Sequence, residues 1–372
     1  MGYLNFATPA FAVVRNSVCL SSLVAAGRLD GLKPTFIDFC AGIGSTRLAL
    51  EQCGASCVGF SEIDSVAEKT YRLFFGESER NFGDLMQIDP AQLPDFDIML
   101  GGFPCQSFSI IGQRKGMEDA RGQIILGLAN ILTTKRPLAF ILENVKGLLN
   151  HDNGQTLSQI IELLELCGYV TRYRLMKSMD IGVPQMRERV FITGIRNDLV
   201  DDYQVIAPDE IPLQPLRRFL IDRDPRLVLD LNSRHGETFL RYLNNKYNAG
   251  RHQLSDYLQQ PLCVLDTRQS DLRIYRDVVP TLRTGRHGIL YVYRGQLRRL
   301  SGLEALLLQG FPEPLARQAK CHVSDLNLLS QAGNAMTVPV VEHVAQQVLN
   351  IIRPQTPSAR TPNTEKQYAI AA

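Results

Sequence analysis

The sequence predicts an α/β protein with a mostly parallel sheet and a second, smaller domain that is mostly β or irregular. The chain has 372 residues, 45% of them apolar, which is enough to bury one large core and a smaller one. Strand-like and helix-like segments alternate from Pro34 to about residue 197. Residues 198–300 break this alternation, because Pro, Arg, Asp and Asn become more frequent and helical periodicity weakens. This change along the chain indicates two different folding units.

Composition and residue spacing argue against membrane, secreted, disulfide-rich and zinc-binding proteins. No apolar run approaches the ~18 residues of a membrane span. Residues 1–14 lack the basic start and long apolar stretch of a signal peptide, so we expect a cytoplasmic protein. The eight cysteines form no CxxC pair and no Cys/His cluster at zinc spacing, which argues against structural disulfides and a structural metal. The net charge of +2 gives no bulk signal for nucleic-acid binding.

Hydrophobic periodicity predicts the individual elements in order. The predicted strands are 35–40, 56–64, 81–88, 95–100, 138–145, 171–178, 188–195 and the short β-like piece 288–295. The predicted helices are 46–53, 66–75, 124–135, 156–168, 301–311 and 337–352. Because a parallel sheet covered by helices binds ligands at the carboxyl ends of its strands, motifs at those ends are the functional candidates.

Shifts in composition divide the chain into five regions. We expect an N-terminal extension over 1–33, a main domain over 34–200 and a second domain over 201–330. A helix within 331–352 is apolar enough to pack back on the main domain. The Pro/Thr/Ser-rich end, 353–372, is expected to be disordered.

The turn after the first predicted strand is a candidate binding site. In DFCAGIGS, Gly42 and Gly44 lie between a strand and a helix, where a ligand can approach the backbone closely. Glu62 ends the next strand and is placed to accept hydrogen bonds from two ribose hydroxyls, and Asp84 ends the third. A tight turn needs glycine anyway, so the glycine pair alone is a weak signal. A third glycine and a phosphate-binding signature are missing, which favours a nucleoside without a pyrophosphate, such as S-adenosylmethionine, over a dinucleotide.

LGGFPCQSFS, residues 100–109, places a cysteine directly after a predicted strand. Pro104 fixes the backbone before Cys105, and polar residues follow it. A loop-to-helix position near cationic groups lowers the pKa of a thiol, and only the thiolate attacks as a nucleophile. The alternative is an inert buried cysteine, which the polar surroundings disfavour.

Two further predicted strand ends carry charged residues. Glu143 closes the mainly apolar run LAFILENV, where a carboxyl is costly unless it has a partner or a task. A helix N-cap or an ion pair is the alternative for Glu143. In PQMRERV, Arg187 and Arg189 alternate with other residues, so both are expected on one face, towards a cleft or solvent. Surface arginines are common, so this last signal is weak by itself.

Together these motifs resemble those of the cytosine-5 DNA methyltransferase family. The shared motifs, in the family's order, are DFCAGIGS, SEID, GD, GGFPCQSFS, ENV, QMRER, RRLSGLEALLLQGFP and QAGNAMTVPV. The chain departs from the family pattern at Cys40 and Ile63, where aromatic residues are usual, and at Ser45, where the family has glycine. The resemblance implies a Rossmann-like S-adenosylmethionine-dependent methyltransferase domain over 34–200 and a target-recognition domain over 201–330.

The reaction implied by the resemblance is methylation of carbon 5 of a cytosine that is flipped out of double-stranded DNA. Cys105 would attack carbon 6, Glu143 would bind N3 and the exocyclic amine, and Arg189 would bind O2. Arg187 would help to hold the site and the DNA backbone. The residues that would bind S-adenosylmethionine are Cys40, Ala41, Gly42, Ile43, Gly44, Glu62, Ile63, Asp84, Leu85, Pro104 and Asn334.

The resemblance also implies double-stranded DNA as the partner of a monomeric, nucleoid-associated enzyme. From Arg268 to Arg299 arginines recur without a lysine, interleaved with Tyr275, Tyr291 and Tyr293, which suits guanine edges and phosphates. Residues 110–123 resemble the family's loop that closes over DNA. The candidate DNA contacts are Gln106, Ser109, Arg121, Arg273, Thr281 and Arg283.

Three alternatives remain open from the sequence. A tRNA cytosine methyltransferase of the same fold typically carries a CFT-type motif, which this sequence lacks. A DNA-binding relative without catalysis would have no need of Cys105, Glu143, Arg187 and Arg189 together. A dinucleotide-dependent oxidoreductase would need the missing phosphate-binding glycines. A modification enzyme paired with a separate restriction endonuclease and an orphan enzyme are both compatible with one chain.

Overall fold

A six-stranded sheet forms the centre of the computed structural model, which describes residues 33–103, 123–209, 211–285 and 287–353. Its strands are β1 (Thr35–Phe39), β2 (Ser56–Ser61), β3 (Ile98–Gly102), β4 (Ala139–Val145), β5 (Tyr169–Lys177) and β7 (Glu188–Arg196). They lie in the order β2-β1-β3-β4-β7-β5. The first four are mutually parallel, and β7 runs antiparallel between β4 and β5. The predicted fold class, an α/β protein with a mostly parallel sheet, is confirmed.

Helices cover both faces of this sheet. The helices that do so are α1 (Ser45–Gln52), α2 (Ser65–Phe75), α3 (Gln123–Lys135), α4 (Gln155–Leu166) and α10 (Val338–Ile352). Because side chains alternate along a strand, Phe36 and Ile98 pack in one buried cluster while Ile37 and Met99 pack in another. The first cluster includes residues of α1 and α10, and the second includes residues of α3 and α4. The carboxyl ends of the parallel strands therefore emerge between two helical layers.

The prediction of a strand over 81–88 is wrong. Asn81 makes only an isolated bridge with Phe60, and a short 3-10 helix follows at Leu85–Gln87. Gly83 has a φ of 75°, which is incompatible with an extended strand. Asp84 then caps the 3-10 helix by accepting a hydrogen bond from the Met86 amide at 2.9 Å. Local turn chemistry thus overrides the apolar pattern of this segment.

The later part of the chain forms a separate antiparallel sheet in the order β12-β11-β8-β9. Its elements are β8 (Leu262–Asp266), β9 (Arg273–Tyr275), β11 (Ile289–Tyr293) and β12 (Gln296–Arg299), preceded by helices α5 (Arg234–Leu243) and α6 (Leu254–Leu258). Strand β10 (Val279–Pro280) of this later part pairs in parallel with β6 (Gln185–Met186), the short strand just before β7. We refer to β8, β9, β11 and β12 as the small sheet.

Four helices close the described chain. They are α7 (Gly302–Leu308), α8 (Glu313–His322), α9 (Asp325–Asn334) and α10. The predicted helix over 337–352 corresponds to α10, which begins at Val338 with Pro339 in its first turn, and the extended residue Ala335 separates it from α9. The boundary predicted after residue 330 falls inside α9, and the division of 34–352 into domains stays a prediction. No helix in the described ranges has the length and apolarity needed to cross a bilayer.

Candidate active site

The turn between β1 and α1 has a left-handed backbone at three positions. Cys40, Gly42 and Gly44 have φ values of 52°, 57° and 80°. A Cβ at position 44 would lie 2.3 Å from the Phe75 ring, so packing alone requires this glycine. A Cβ at position 42 would meet no atom of the described residues within 4 Å. Gly42 therefore leaves open space at the strand end, as a ligand-binding turn needs.

Glu62 joins this turn to the end of β2. Its Oε2 accepts a hydrogen bond from the Gly42 amide at 2.7 Å, and its Oε1 accepts from the amides of Ile63 and Asp64, both at 2.8 Å. A carboxylate offers about four acceptor positions, and three are taken. One ribose hydroxyl can therefore bind without rearrangement, whereas the sequence suggested two.

The remaining cofactor candidates near Glu62 differ in exposure. Ile63 is 74% exposed and presents an apolar surface, while Ala41, Ile43 and Leu85 are buried and shape the backbone. Burial raises the pKa of the Cys40 thiol to about 12, so this thiol is neutral at physiological pH. Sequence reasoning missed Asn81, whose side chain holds the Glu62 backbone at both N–H (3.1 Å) and C=O (2.9 Å).

Sequence reasoning also missed Asp38, although it begins the DFCAGIGS motif. Asp38 is 1% exposed, and its Oδ2 accepts a hydrogen bond from the Thr46 hydroxyl at 2.6 Å. Burial raises the pKa of Asp38 to about 7, because desolvation outweighs the hydrogen bond from Thr46 and the charge of Arg47. A buried acid at the end of a strand was the signal that could have identified it.

The chemical end of the site is built on β3, β4 and β7. Gly102 pairs with Glu143 in the β3/β4 register, the Phe103 amide donates to the Glu143 carbonyl at 3.4 Å, and the Asn144 side chain donates to the Phe103 carbonyl at 2.9 Å. The end of β3 is thus attached to the ENV motif. The candidates Pro104, Cys105, Gln106, Ser109 and Arg121 lie outside the described residues, as do 1–32 of the extension, 354–372 of the tail and 110–122 of the loop predicted to close over DNA.

Glu143 and Arg189 form a buried ion pair. Arg189 Nε lies 2.8 Å from Glu143 Oε1, a contact that is close but not aligned as a hydrogen bond. Burial raises the pKa of Glu143, and the charges of Arg189 and Arg187 oppose this rise. Burial likewise lowers the pKa of Arg189, against the attraction of Glu143. A carboxyl with a raised pKa beside a guanidinium can give a proton to a ring nitrogen while the cation holds a carbonyl oxygen.

Arg187 faces the protein interior. It is 2% exposed and donates to three backbone carbonyls: Leu282 at 3.2 Å, Gly333 at 3.1 Å and Ala335 at 2.6 Å. The side chain therefore does not face solvent as predicted. Its predicted roles in holding the site and the DNA backbone stay predictions. Arg187 and Arg189 do lie on one face as predicted, since both line one small cavity beside Phe191 and Met336.

Arg189 also lines an open cleft of about 490 Å³. Thr281, Arg283 and Asn334 line the same cleft, so the structure brings two predicted DNA contacts to the cleft that Arg189 lines. Asn334 is exposed and lines this cleft, and its predicted role in closing the cofactor pocket stays a prediction. Arg273 is half exposed, lies 3.6 Å from Asp271 and is not among the residues that line the cleft.

Two side chains of the predicted groove-reading surface are internal. Tyr291 is fully buried and donates its hydroxyl hydrogen bond to Glu304 at 2.9 Å. Arg298 is 4% exposed and donates to the carbonyls of Asp222 and Asp224. These residues stabilise the small sheet and are not available to a groove of DNA.

The fold and this site define a methyltransferase of the Rossmann-like class. Residues 34–350 match the sequence profile described as C-5 cytosine-specific DNA methylase, and the chain belongs to this family. It is a DNA cytosine-5-methyltransferase, and the family uses S-adenosylmethionine as methyl donor. Membership in this family rules out the oxidoreductase alternative.

Individual relatives agree with this assignment. The chain is 32% identical to Type II methyltransferase M.HhaI of Haemophilus parahaemolyticus, over 86% of this chain and 95% of the relative. It is 36% identical to Type II methyltransferase M.NgoBI of Neisseria gonorrhoeae, over 82% of this chain and 90% of the relative. The crystal structure of the S. pombe Dnmt2 methyltransferase shares the fold with a TM-score of 0.61 at 20% identity, covering 86% of this chain and 99% of its own.

Proposed function

We propose that this protein methylates carbon 5 of a flipped-out cytosine in a short, specific sequence of double-stranded DNA, through a covalent Cys105 adduct at carbon 6. The Glu143–Arg189 ion pair is the observation that carries this proposal. It lies at the strand end that holds Phe103, and Cys105 follows Phe103 by two residues in the sequence. A thiol, a proton-donating carboxyl and a guanidinium are the groups that this reaction needs.

The chain's own residues activate the cytosine. The Cys105 thiolate forms a bond to carbon 6, the electron pair of the C5–C6 double bond moves to carbon 5, and N3 takes the proton of the Glu143 carboxyl. Arg189 donates to O2 and stabilises the negative charge that develops on the ring. S-adenosylmethionine supplies an electrophilic methyl group when it is bound. After transfer, a base takes the proton from carbon 5, the Cys105 thiolate leaves carbon 6, the double bond returns, and Glu143 recovers its proton from N3.

The turn after β1 fits a nucleoside cofactor. Gly42 leaves the backbone open, Glu62 keeps one acceptor position for a ribose hydroxyl, and exposed Ile63 offers an apolar surface for an adenine ring. We place the methionine part along residues 40–44 and the adenine near Ile63, Asp84 and Leu85. Because Ile63 stands where relatives of the family often carry an aromatic ring, this stacking contact is weaker here.

The cleft beside Arg189 is the proposed DNA-binding surface. Arg283, Thr281 and Lys146 line it, and arginine suits guanine edges and phosphates. Residues 201–330 would supply sequence recognition, and the enzyme would act as a monomer. Since relatives are named Type II methyltransferases, we assign it the role of a modification enzyme, acting beside a separate restriction endonuclease or as an orphan.

Sequencing of 5-methylcytosine tests this function. DNA from cells that lack cytosine-5 methylation is compared after expression of the wild type or of Cys105→Ala. We expect one short motif to be methylated only with the wild type. Absence of any motif above the background of Cys105→Ala contradicts the DNA assignment, and methylated cytosine confined to the tRNA of the same cells would support the tRNA alternative.

A further inference from the structure

The backbone of Thr281 and Leu282 is held by side chains from two different parts of the protein. The Leu282 amide donates to Gln185 Oε1 at 3.1 Å, and the Leu282 carbonyl accepts from Arg187 Nη1 at 3.2 Å. The Thr281 carbonyl accepts from Arg268 Nη1 at 2.7 Å, and the Thr281 hydroxyl donates to the Met186 carbonyl. We call Gln185, Arg187 and Arg268, together with the segment Thr281–Leu282, the clasp.

Most residues of the clasp are buried. Gln185 is 0% exposed, Arg187 is 2% exposed and Leu282 is 3% exposed. The side chain of Arg268 is 6% exposed and is oriented by an ion pair with Asp266 at 2.7 Å. Hydrogen bonds from guanidinium groups to buried carbonyls are strong, and a lost partner leaves a buried polar group unsatisfied. The segment is therefore fixed in position.

The clasp joins the segment between β6 and β7 to the small sheet. Gln185 lies in β6 and Arg187 lies between β6 and β7, two residues before Arg189, whereas Arg268 follows β8 of the small sheet. Arg283, which lines the cleft, is the residue after Leu282. Arg187 also binds the carbonyls on either side of Asn334, namely Gly333 and Ala335. Arg189, Arg283 and Asn334 thus each lie one or two residues from a position that the clasp holds.

We propose that Gln185 and Arg187 are positioning residues that fix the spacing between Arg283 and Arg189, and so couple reading of the flanking sequence to capture of the target cytosine. This proposal rests on the proposed function of the same cleft. It assigns Arg187 an internal task that needs a guanidinium, because three carbonyls approach it from separate segments. A lysine ammonium at the same place has no fork that can reach all three.

The test measures target discrimination, which is the ratio of single-turnover rates on the cognate duplex and on a duplex with one flanking base pair changed. We expect Arg187→Lys to lower this ratio about tenfold or more, and to do so non-additively with Arg283→Ala, since coupled residues show interaction energies in a double-mutant cycle. Arg298→Lys is the matched control, because Arg298 is buried and donates to two carbonyls but does not line the cleft. It should lower stability and leave the ratio unchanged.

Several results decide the proposal. An unchanged ratio in Arg187→Lys, additivity with Arg283→Ala, or an equal loss of discrimination in Arg298→Lys overturns it. If Arg187→Lys does not fold, Arg268→Lys loosens the clasp from the small sheet, and it must lower the ratio in the same direction. The ratio of equilibrium dissociation constants for the two duplexes measures the same discrimination without any turnover. Covalent capture of 5-fluorocytosine DNA by the wild type tests the proposed function alone, so failure of one proposal can be told from failure of the other.

Discussion

Arg189 and Glu143 meet across the antiparallel strands β4 and β7, with 2.8 Å between Nε and Oε1. Arg189 pairs in register with Val145, two residues from Glu143, so the two side chains are diagonal neighbours on one face. Both are more than four-fifths buried, and desolvation disfavours the charged form of each. Burial thus favours the protonated Glu143 carboxyl, and the charge of Arg189 opposes this.

Glu143→Gln should slow covalent capture of cytosine. The amide keeps the size of the side chain but has no proton to transfer to N3, so we expect the rate of adduct formation to fall about 10²- to 10⁴-fold. The dissociation constant for DNA should change by less than about threefold, because only the transition state gains from the proton transfer. Rapid-quench measurement of the adduct with 5-fluorocytosine duplex gives the rate.

Glu165→Gln is the control for this substitution, since Glu165 is exposed on α4. It should react at the wild-type rate. Adduct formation at the wild-type rate in Glu143→Gln would show that the carboxyl takes no part in activating the ring.

Gly44→Ala should mainly lower the stability of the fold, whereas Gly42→Ala should mainly weaken cofactor binding. Both positions have a positive φ, but only a Cβ at position 44 meets the Phe75 and Tyr71 rings, at 2.3 and 2.9 Å. We expect Gly44→Ala to lose about 2–4 kcal/mol of unfolding free energy through overpacking and backbone strain. Gly42→Ala should lose about 1 kcal/mol and weaken cofactor binding, because its methyl group enters the space left for the ligand.

Thermal melts and calorimetry with S-adenosylhomocysteine distinguish the two effects. Gly250→Ala is the strain-matched control, with a φ of 74° and no atom of the described residues within 4 Å of its Cβ. If Gly42→Ala binds the cofactor product as tightly as Gly250→Ala does, the open space at position 42 is not part of the cofactor site.

Glu62→Gln should weaken cofactor binding about 10- to 100-fold. The amide cannot accept from the Gly42, Ile63 and Asp64 amides and a ribose hydroxyl together, and hydrogen bonds to a charged group contribute about 1.5–3 kcal/mol each. Calorimetric titration with S-adenosylhomocysteine gives the affinity. Glu77→Gln, at an exposed position, should bind as the wild type does, and an unchanged affinity in Glu62→Gln would remove this residue from the site.

Stability should decrease as pH rises from about 4 to about 7. Burial raises the pKa of both Asp38 and Glu304 to about 7, so the folded chain binds their protons more tightly than the unfolded chain does. The free energy of unfolding then falls with increasing pH across that window, by at most about 4 kcal/mol for Asp38. Carboxyls with a lowered pKa, such as Asp222, act in the opposite sense but only below their ordinary pKa.

The measurement is the melting temperature at about pH 5.5 and about pH 8. The wild type should melt higher at the lower pH, and Asp38→Asn should reduce that difference while an amide oxygen still accepts from Thr46. An equal pH difference in Asp38→Asn would mean that Asp38 does not titrate in this window.

Local patterns predicted the parts of the fold that depend on neighbouring residues. The strands and helices from β1 to α4 follow from period and turn residues, and the strand-end position of Glu143 follows from its apolar run. The segment 81–88 was predicted wrongly, because Gly83 and Asp84 impose a turn that the apolar pattern does not reveal. Helix α9 was not predicted, since its apolar residues are few and it contains Gly333.

Long-range contacts account for what sequence reasoning could not find. Arg187 and Arg189 look alike in the sequence, yet the carbonyls that bind Arg187 are 95 to 148 residues away and draw it into the interior. Asn334 likewise lies on the cleft because α9 ends beside Arg187, not because of any pattern around it. Such positions depend on tertiary packing between segments far apart in the chain.

Covalent trapping tests the central claim most directly. Duplex DNA with 5-fluorocytosine at the methylated position is incubated with the protein and S-adenosylmethionine, and the denaturant-stable product is digested and analysed by mass spectrometry. The account predicts a cytosine adduct on the peptide that contains Cys105, and none with Cys105→Ser. An adduct on another residue, or methylation of cytosine by Cys105→Ser at the wild-type rate, would contradict it.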